Sequence, residues 1–173
     1  QYLLQDYLFM LQFARAHALA VYKADDLAAM RLGSEAIDRI LNYELSLHLR
    51  YCEQWGLTQE DIVGLEEARS YMAYTRYVLD RGLSGDLLDL YVALIPCTVG
   101  YGVIGRRLGA TRVPNNPYQA WIDTYAAEDY QAVVETSIEH VNRLALKYET
   151  RDRFDSLADV FRQATRLEIG FWE

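Results

Sequence analysis

The residues able to make or break covalent bonds are few in this 173-residue chain. Cys97 follows Pro96 in the apolar run Leu90 to Tyr101, which reads LYVALIPCTVGY and is patterned like a helix. Tyr101 lies four residues on, so helical spacing puts a thiol and a phenol on one face. A proline inside a helix removes a backbone hydrogen bond, bends the chain and costs about 3 kcal/mol, which asks for a compensating use. Three carboxylates stand in otherwise apolar helical patterns: Asp6, Glu44 and Glu168. A carboxylate in such a place is unusual unless it is paired or used. A thiol works as a nucleophile when it is set against an acid or base, and these three are the candidate partners of Cys97. Cys97 can equally be a small core residue, the common fate of a free cysteine, and Cys52 is read that way.

Metal chemistry has a thinner inventory. Glu44-x-x-x-His48 places two ligand types on one helix face, whereas a carboxylate-bridged bundle site wants several such ligands on facing helices. The chain has 3 histidines, His17, His48 and His140, and Glu139 is adjacent to His140 and points away from it. The residues favour a hydrogen bond between Glu44 and His48 in the core, with a metal site as the alternative. His17 on the first helix could ligate haem, though nothing else in the sequence describes a macrocycle pocket.

These groups must be carried by long elements, because only 3 prolines and 10 glycines interrupt the chain. The length fits one domain. A formal net charge of -8 repels phosphate backbones and argues against nucleic acid as a partner. No apolar run reaches the roughly 18 residues that span a bilayer, so no membrane partner is expected. Two cysteines make neither a disulfide framework nor a zinc site, and a reducing cytoplasm is the expected location. The chain opens at Gln1, without methionine and already inside a helical pattern, and is read as lacking its native N-terminal residues. The 14 tyrosines against 5 phenylalanines suggest a polar, aromatic pocket, because each buried hydroxyl needs a partner. Surface tyrosines are the alternative.

Periodicity near 3.6 marks helices over Tyr2 to Tyr22, Ala36 to Trp55, Glu66 to Arg81, Ser84 to Leu108, Glu128 to Tyr148 and Asp155 to Trp172. Asp25-Asp26 begins a turn or cap, and Thr58 with Asp61 forms a capping box. Val113 to Pro117 is a loop, after which Pro117 can open a helix carrying Tyr118, Trp121, Ile122 and Tyr125. No stretch alternates with period two. The fold class is all-α, a bundle of about seven helices with short connections.

Four segments together resemble the TenA/thiaminase II family: Gln5-Asp-Tyr-Leu-Phe9, Leu94-Ile-Pro-Cys-Thr-Val-Gly-Tyr101, Asn116-Pro-Tyr-Gln-Ala-Trp-Ile-Asp-Thr-Tyr125 and Glu168-Ile-Gly-Phe-Trp172. Their order and spacing reach from one end of the chain to the other, and Cys97 aligns the chain with the cysteine-containing branch. The resemblance implies one haem-oxygenase-like helical domain over residues 1–173, without haem, cofactor or metal, assembled as a homotetramer. It implies hydrolysis of aminopyrimidines, either 4-amino-5-aminomethyl-2-methylpyrimidine or thiamin, to the hydroxymethylpyrimidine used in thiamin synthesis. It assigns Cys97 as the nucleophile and Glu168 as the acid that protonates the leaving amine and then assists water. It assigns Asp6 to the aminopyrimidine edge, Tyr74 and Tyr125 as hydrogen-bonding tyrosines, and Phe9 and Tyr101 as aromatic walls. No role for Glu44 follows from it. A metal-dependent oxidase using Glu44 and His48, or a pyrimidine-binding module without catalysis, are the alternatives.

Overall fold

A computed structural model describes residues 2–62, 64–149 and 151–172. Among them are nine α-helices and one π-helical segment: α1 (Tyr2–Lys23), α2 (Leu27–Asp38), the π segment Arg39–Glu44, α3 (Leu45–Gln54), α4 (Gln59–Ile62), α5 (Arg69–Ser84), α6 (Leu87–Gly109), α7 (Gln119–Ala126), α8 (Glu128–Tyr148) and α9 (Phe154–Phe171). The chain from α2 to α3 is one path widened by the π segment, and α4 is a single turn. Counted that way, seven substantial helical paths remain, the number expected from the pattern.

The bundle is built around α6, which packs against α1, α5, α7, α8 and α9. Its sequence is apolar on every side, as a helix surrounded by others must be. Leu88, Leu90 and Leu94 are almost wholly buried. Each such side chain contributes roughly 1.5–3 kcal/mol through the area it removes from water. The start of α6 is fixed by a reciprocal capping box: the Asp86 carboxylate accepts from the backbone N–H of Asp89, and the Asp89 carboxylate accepts from that of Asp86. The helix runs on through Pro96 without a break. Near its C-terminal end it approaches α7 so closely that a Cβ on Gly105 would stand 2.6 Å from the Tyr125 backbone.

By length and composition α6 is also able to cross a membrane, which corrects the expectation that no apolar stretch is long enough: a few charged or polar residues do not lower its mean hydropathy below that of a span. Asp89 near its start and Arg106 and Arg107 near its end bound the apolar stretch. In the bundle, 67% of its most apolar window is buried against other helices.

Several boundaries differ from the expected ones. α2 starts at Leu27 rather than near Ala36, capped by Asp26, whose side chain accepts from the Ala29 N–H at 2.8 Å. Its interior Gly33 lowers helix propensity, but the helix needs it there. A Cβ at Gly33 would lie 2.7 Å from a Val21 methyl, so the glycine lets α2 lie close on α1. α5 begins at Arg69, after an extended Ala68, three residues later than Glu66. Tyr118 caps α7, which leaves Pro117 outside it. Thr58 and Asp61 do form their box, with the Thr58 N–H donating to the Asp61 carboxylate at 2.7 Å.

Candidate active site

Where α1, the π segment, α6, α7 and α8 meet, they enclose a cavity of about 450 Å³. α1 contributes Asp6 and Phe9, α6 contributes Cys97 and Tyr101, and α7 contributes Tyr125. Cys97 and Tyr101 therefore share the cavity face that their i, i+4 spacing required. Asp6 and Phe9, three apart, do the same from the opposite wall. Tyr74 on α5 and Glu168 on α9 do not line the cavity. Both are buried, and Glu168 is near enough to Cys97 for its charge to act on the thiol.

The π segment shapes one wall. A wider turn of this kind brings residues five apart into register, and such segments recur at functional sites. Arg39 and Glu44, its first and last residues, both face the cavity. Sequence pattern gave no sign of this, because an extra residue in a turn leaves the apolar spacing on either side intact.

Aromatic packing holds the walls. Phe9 stacks on Tyr74 with ring centroids 5.7 Å apart and meets Phe171 edge-on at 4.9 Å. Tyr101 is packed by Tyr125 at 4.9 Å and Trp172 at 5.5 Å. The hydroxyls of Tyr101 and Tyr2 are 2.8 Å apart. Tyr130, on the cavity wall, donates to the Thr98 carbonyl at 3.3 Å. Tyr71 on α5 stacks on Phe171 and belongs to the core.

The polar groups are unevenly satisfied. His48 Nε2 lies 2.7 Å from Asp6 Oδ2, and both side chains are buried. This corrects the expected Glu44–His48 pair: the histidine turns to a carboxylate on another helix. Glu44 keeps its place on the cavity wall, its carboxyl pushed above the usual range by burial, with Arg39 and His48 working downward and Asp6 upward. Among the described residues no three His, Cys, Asp or Glu side chains are grouped to share a metal ion.

Glu168 differs from Asp6. It is buried and neither carboxyl oxygen has a hydrogen-bond partner among the described residues. Burial raises its pKa to about 8, with nearby Tyr74 working downward and Asp6 upward. The Tyr74 hydroxyl donates instead to the Ala93 carbonyl at 3.4 Å. At neutral pH Glu168 is therefore a carboxylic acid with a proton to give. Cys97 is also raised well above an ordinary thiol, by burial first and then by the charges of Glu168, Asp6 and Glu44. The resting cavity holds a thiol and a paired carboxylate around an aromatic slot, with a buried, protonated acid near enough to the thiol for its charge to act there.

Comparison with known proteins bears on this arrangement. A model of the TENA/THI-4/PQQC family matches residues 1–173. A Haemophilus influenzae protein described as uncharacterized is 40% identical over 174 residues, covering 99% of this chain and 80% of its own. The aminopyrimidine aminohydrolase of Halalkalibacterium halodurans is 33% identical over 171 residues, covering 98% of this chain and 76% of its own. A crystal structure described as a TenA family transcription regulator from Silicibacter sp. TM1040 superposes with a TM-score of 0.90 at 41% identity, covering 99% of this chain and 78% of that one. With the helical bundle, the cavity and a full-length match in agreement, the chain belongs to the TENA/THI-4/PQQC family.

Proposed function

We propose that this protein is an aminopyrimidine hydrolase of thiamin salvage, which uses Cys97 as nucleophile and Glu168 as general acid and base. The observation that carries the reading is the pairing of two buried, proton-bearing groups: an unpartnered carboxyl and a thiol close enough for the carboxylate charge to raise the thiol's pKa. Burying a carboxyl without partners costs free energy, and a group kept protonated near neutrality is what donation to a departing amine requires. The relatives named aminopyrimidine aminohydrolase support the reaction class.

The steps follow from the chemistry of the ring. An amine leaves poorly from the methylene of an aromatic pyrimidine. Adding the Cys97 S–H across a ring C=N bond puts sulfur on carbon and the proton on nitrogen, and aromaticity is lost. The nitrogen lone pair then drives out the amine as an exocyclic C=C bond forms, and Glu168 gives its proton to the leaving nitrogen. Water adds to the exocyclic carbon, losing a proton to the Glu168 carboxylate. The ring electrons return, the sulfur leaves with the ring-nitrogen proton, and hydroxymethylpyrimidine is released with Glu168 reprotonated.

The high pKa of Cys97 has a use here. The Asp6 carboxylate is one of the charges that hold the thiol proton on. A ring whose amidine edge is positive would neutralise Asp6 on binding and ease deprotonation of Cys97, so the substrate itself activates the nucleophile. His48 lies against Asp6, its Nε2 2.7 Å from the carboxylate. Phe9, Tyr101 and Tyr125 supply flat faces and directed hydroxyls for a heteroaromatic ring, and Tyr74 orders the wall around Glu168.

The test is ammonia release from 4-amino-5-aminomethyl-2-methylpyrimidine with divalent metal chelated, run beside Cys97→Ala. Release by the parent and none by the variant is expected. Release that survives in Cys97→Ala would remove the covalent route, and release that requires metal would favour an oxidase or metallohydrolase centred on Glu44 and His48.

A further inference from the structure

Hydrolysis as written above gives work to Cys97, Glu168 and Asp6 and none to Glu44, although that carboxyl also faces the cavity. A half-buried acid on a cavity wall costs free energy unless something meets it. Among the described residues no hydrogen bond reaches it: Arg39 and His48 act on it through charge alone.

The backbone sets its position. Glu44 closes the π segment, and His48 lies one turn on, in α3. Residues four apart stand about 5–6 Å from each other on one helix face. His48 reaches across to α1, where its Nε2 lies 2.7 Å from Asp6 Oδ2. Glu44 and Asp6 thus flank one imidazole, and both line the cavity with Cys97, Tyr101 and Tyr125. Their charges both act on the Cys97 thiol and on Tyr125, which puts the two carboxyls at the same end of the cavity. Two further acids line it, Glu35 on α2 and Asp129 on α8, but both are exposed and neither is among the charges that act on Cys97.

Counting donors divides the work between Asp6 and Glu44. A 4-aminopyrimidine protonated on the ring nitrogen beside its amino group presents three N–H donors, one on the ring and two on the exocyclic nitrogen. A carboxylate meets two neighbouring donors side by side, one with each oxygen. Asp6 can take the ring N–H and the exocyclic N–H next to it, leaving a lone pair of Oδ2 for His48. The third N–H points the other way, towards the 5-substituent, where Asp6 cannot follow. Once the ring is buried, that donor needs an acceptor of its own. An oxygen at the same ring position would reverse the match, because its lone pairs would face two carboxylates.

We propose that Glu44 is a second recognition residue, which accepts the outer N–H of the 4-amino group and so sets the site's choice of 4-aminopyrimidines over 4-oxopyrimidines. This rests on the aminopyrimidine reading above and adds to it a residue that rejects the wrong ring. Arg39, on the same cavity wall, favours the charged form of Glu44 that accepts.

The experiment measures by calorimetry the Kd of 4-amino-5-hydroxymethyl-2-methylpyrimidine, the product of the reaction, and of its 4-oxo analogue. In the parent protein the 4-oxo ring should bind about 100-fold more weakly or worse, as a site built to receive an N–H rejects an analogue without it. Glu44→Gln keeps the shape and can turn an amide N–H to the oxygen, so it should narrow the gap by about tenfold. Glu44→Met should narrow it too, through weaker binding of the amino compound alone. A gap as wide in both variants as in the parent would mean that Asp6 reads the position unaided and would overturn the assignment. Equal binding of the two rings by the parent would do the same, and so would failure of both variants to fold by circular dichroism, which would make Glu44 part of the scaffold. If the parent bound neither ring, the aminopyrimidine reading would fall along with it.

Discussion

Helix α6 has a polar cluster at its start and another at its middle, and the two are built in opposite ways. At the start, Asp86 and Asp89 cap the helix and share Arg153, which donates to Asp86 at 2.7 Å, to Asp89 at 2.8 Å and to the Tyr148 carbonyl at 2.8 Å. Partial burial works upward on Asp86, but hydrogen bonds from Arg153 and the Asp89 N–H outweigh it and hold the carboxyl below its ordinary range. At the middle, Cys97 and Glu168 are more deeply buried and both are pushed upward, Glu168 with no hydrogen-bond partner among the described residues. One cluster is satisfied and stabilises the helix. The other is left wanting a ligand, and the cost of that falls on the fold.

The comparison breaks most readily at Cys97. Cys97→Ala should reduce ammonia release to background while an aminopyrimidine still binds by calorimetry and the unfolding midpoint shifts little, since one buried sulfur is lost and no hydrogen bond. A variant that lost binding and stability along with turnover would make Cys97 part of the scaffold, as the capping residues are.

Glu168→Gln comes next. Turnover should fall by about 10² to 10⁴, the usual contribution of a general acid and base. Stability gives a sharper reading. An unfolded glutamate titrates near the ordinary 4.5 and folded Glu168 near 8, so between those values the folded protein binds the extra proton. The contribution of this group is then fully present below about pH 4.5 and is lost as pH rises towards 8. Glutamine cannot ionise. Glu168→Gln should therefore be close to neutral in chemical denaturation at pH 5 and stabilising at pH 8. A variant less stable than the parent at pH 8 would mean that the carboxylate has a partner, and the contrast with Asp86 would fail.

Arg153→Met sharpens the other side. It keeps the aliphatic stem and removes every donor to Asp86, Asp89 and Tyr148. The groups are partly exposed, so solvent screens the pairs and the expected loss is about 1–2 kcal/mol. Turnover should remain near that of the parent, since the cluster lies at the far start of α6 from Cys97. A large fall in kcat with unchanged stability would show that the two clusters are not separate.

These two clusters also mark what could be read from the sequence. The start of α6 was legible because such signals are local, Ser84-Gly85-Asp86 before an apolar run announcing a helix, but the capping roles of Asp86 and Asp89 were not read from it. The shared face of Cys97 and Tyr101 was legible for the same reason, as was the all-α class, since spacing within a helix fixes which residues lie together. What joins helices was not. Glu44 stood at i, i+4 from His48 and looked like its partner, yet Asp6, 42 residues away in sequence, lies 2.7 Å from the imidazole. Arg153, 67 residues from Asp86, carried no sign of its role. The π segment left no mark in the periodicity, and the cavity is lined also by His17 and His140, residues that share no motif. The roles of the TenA-like segments came from a resemblance and not from periodicity. Spacing alone assembled no site from α1, α6 and α9.

The smallest effect tests the sign of the argument. Asp86→Asn keeps an oxygen to cap α6 but gives up the charge that Arg153 meets. The folded Asp86 carboxyl titrates below its unfolded value, so its contribution is present above the ordinary aspartate range and is lost as pH falls through the folded value. The substitution should cost about 0.5–1 kcal/mol at pH 7, discounted for an exposed edge, and nothing measurable once the parent's own Asp86 is protonated in acid. Its pH dependence therefore runs opposite to that of Glu168→Gln: the parent's advantage over the asparagine variant grows as pH rises out of the acid range, while its standing against the glutamine variant declines between pH 5 and 8. Two denaturation series across pH would show curves that diverge in opposite senses. If both slopes had the same sign, a paired carboxylate and an unpaired one could not be told apart in this bundle, and the functional reading of Glu168 would lose its physical basis.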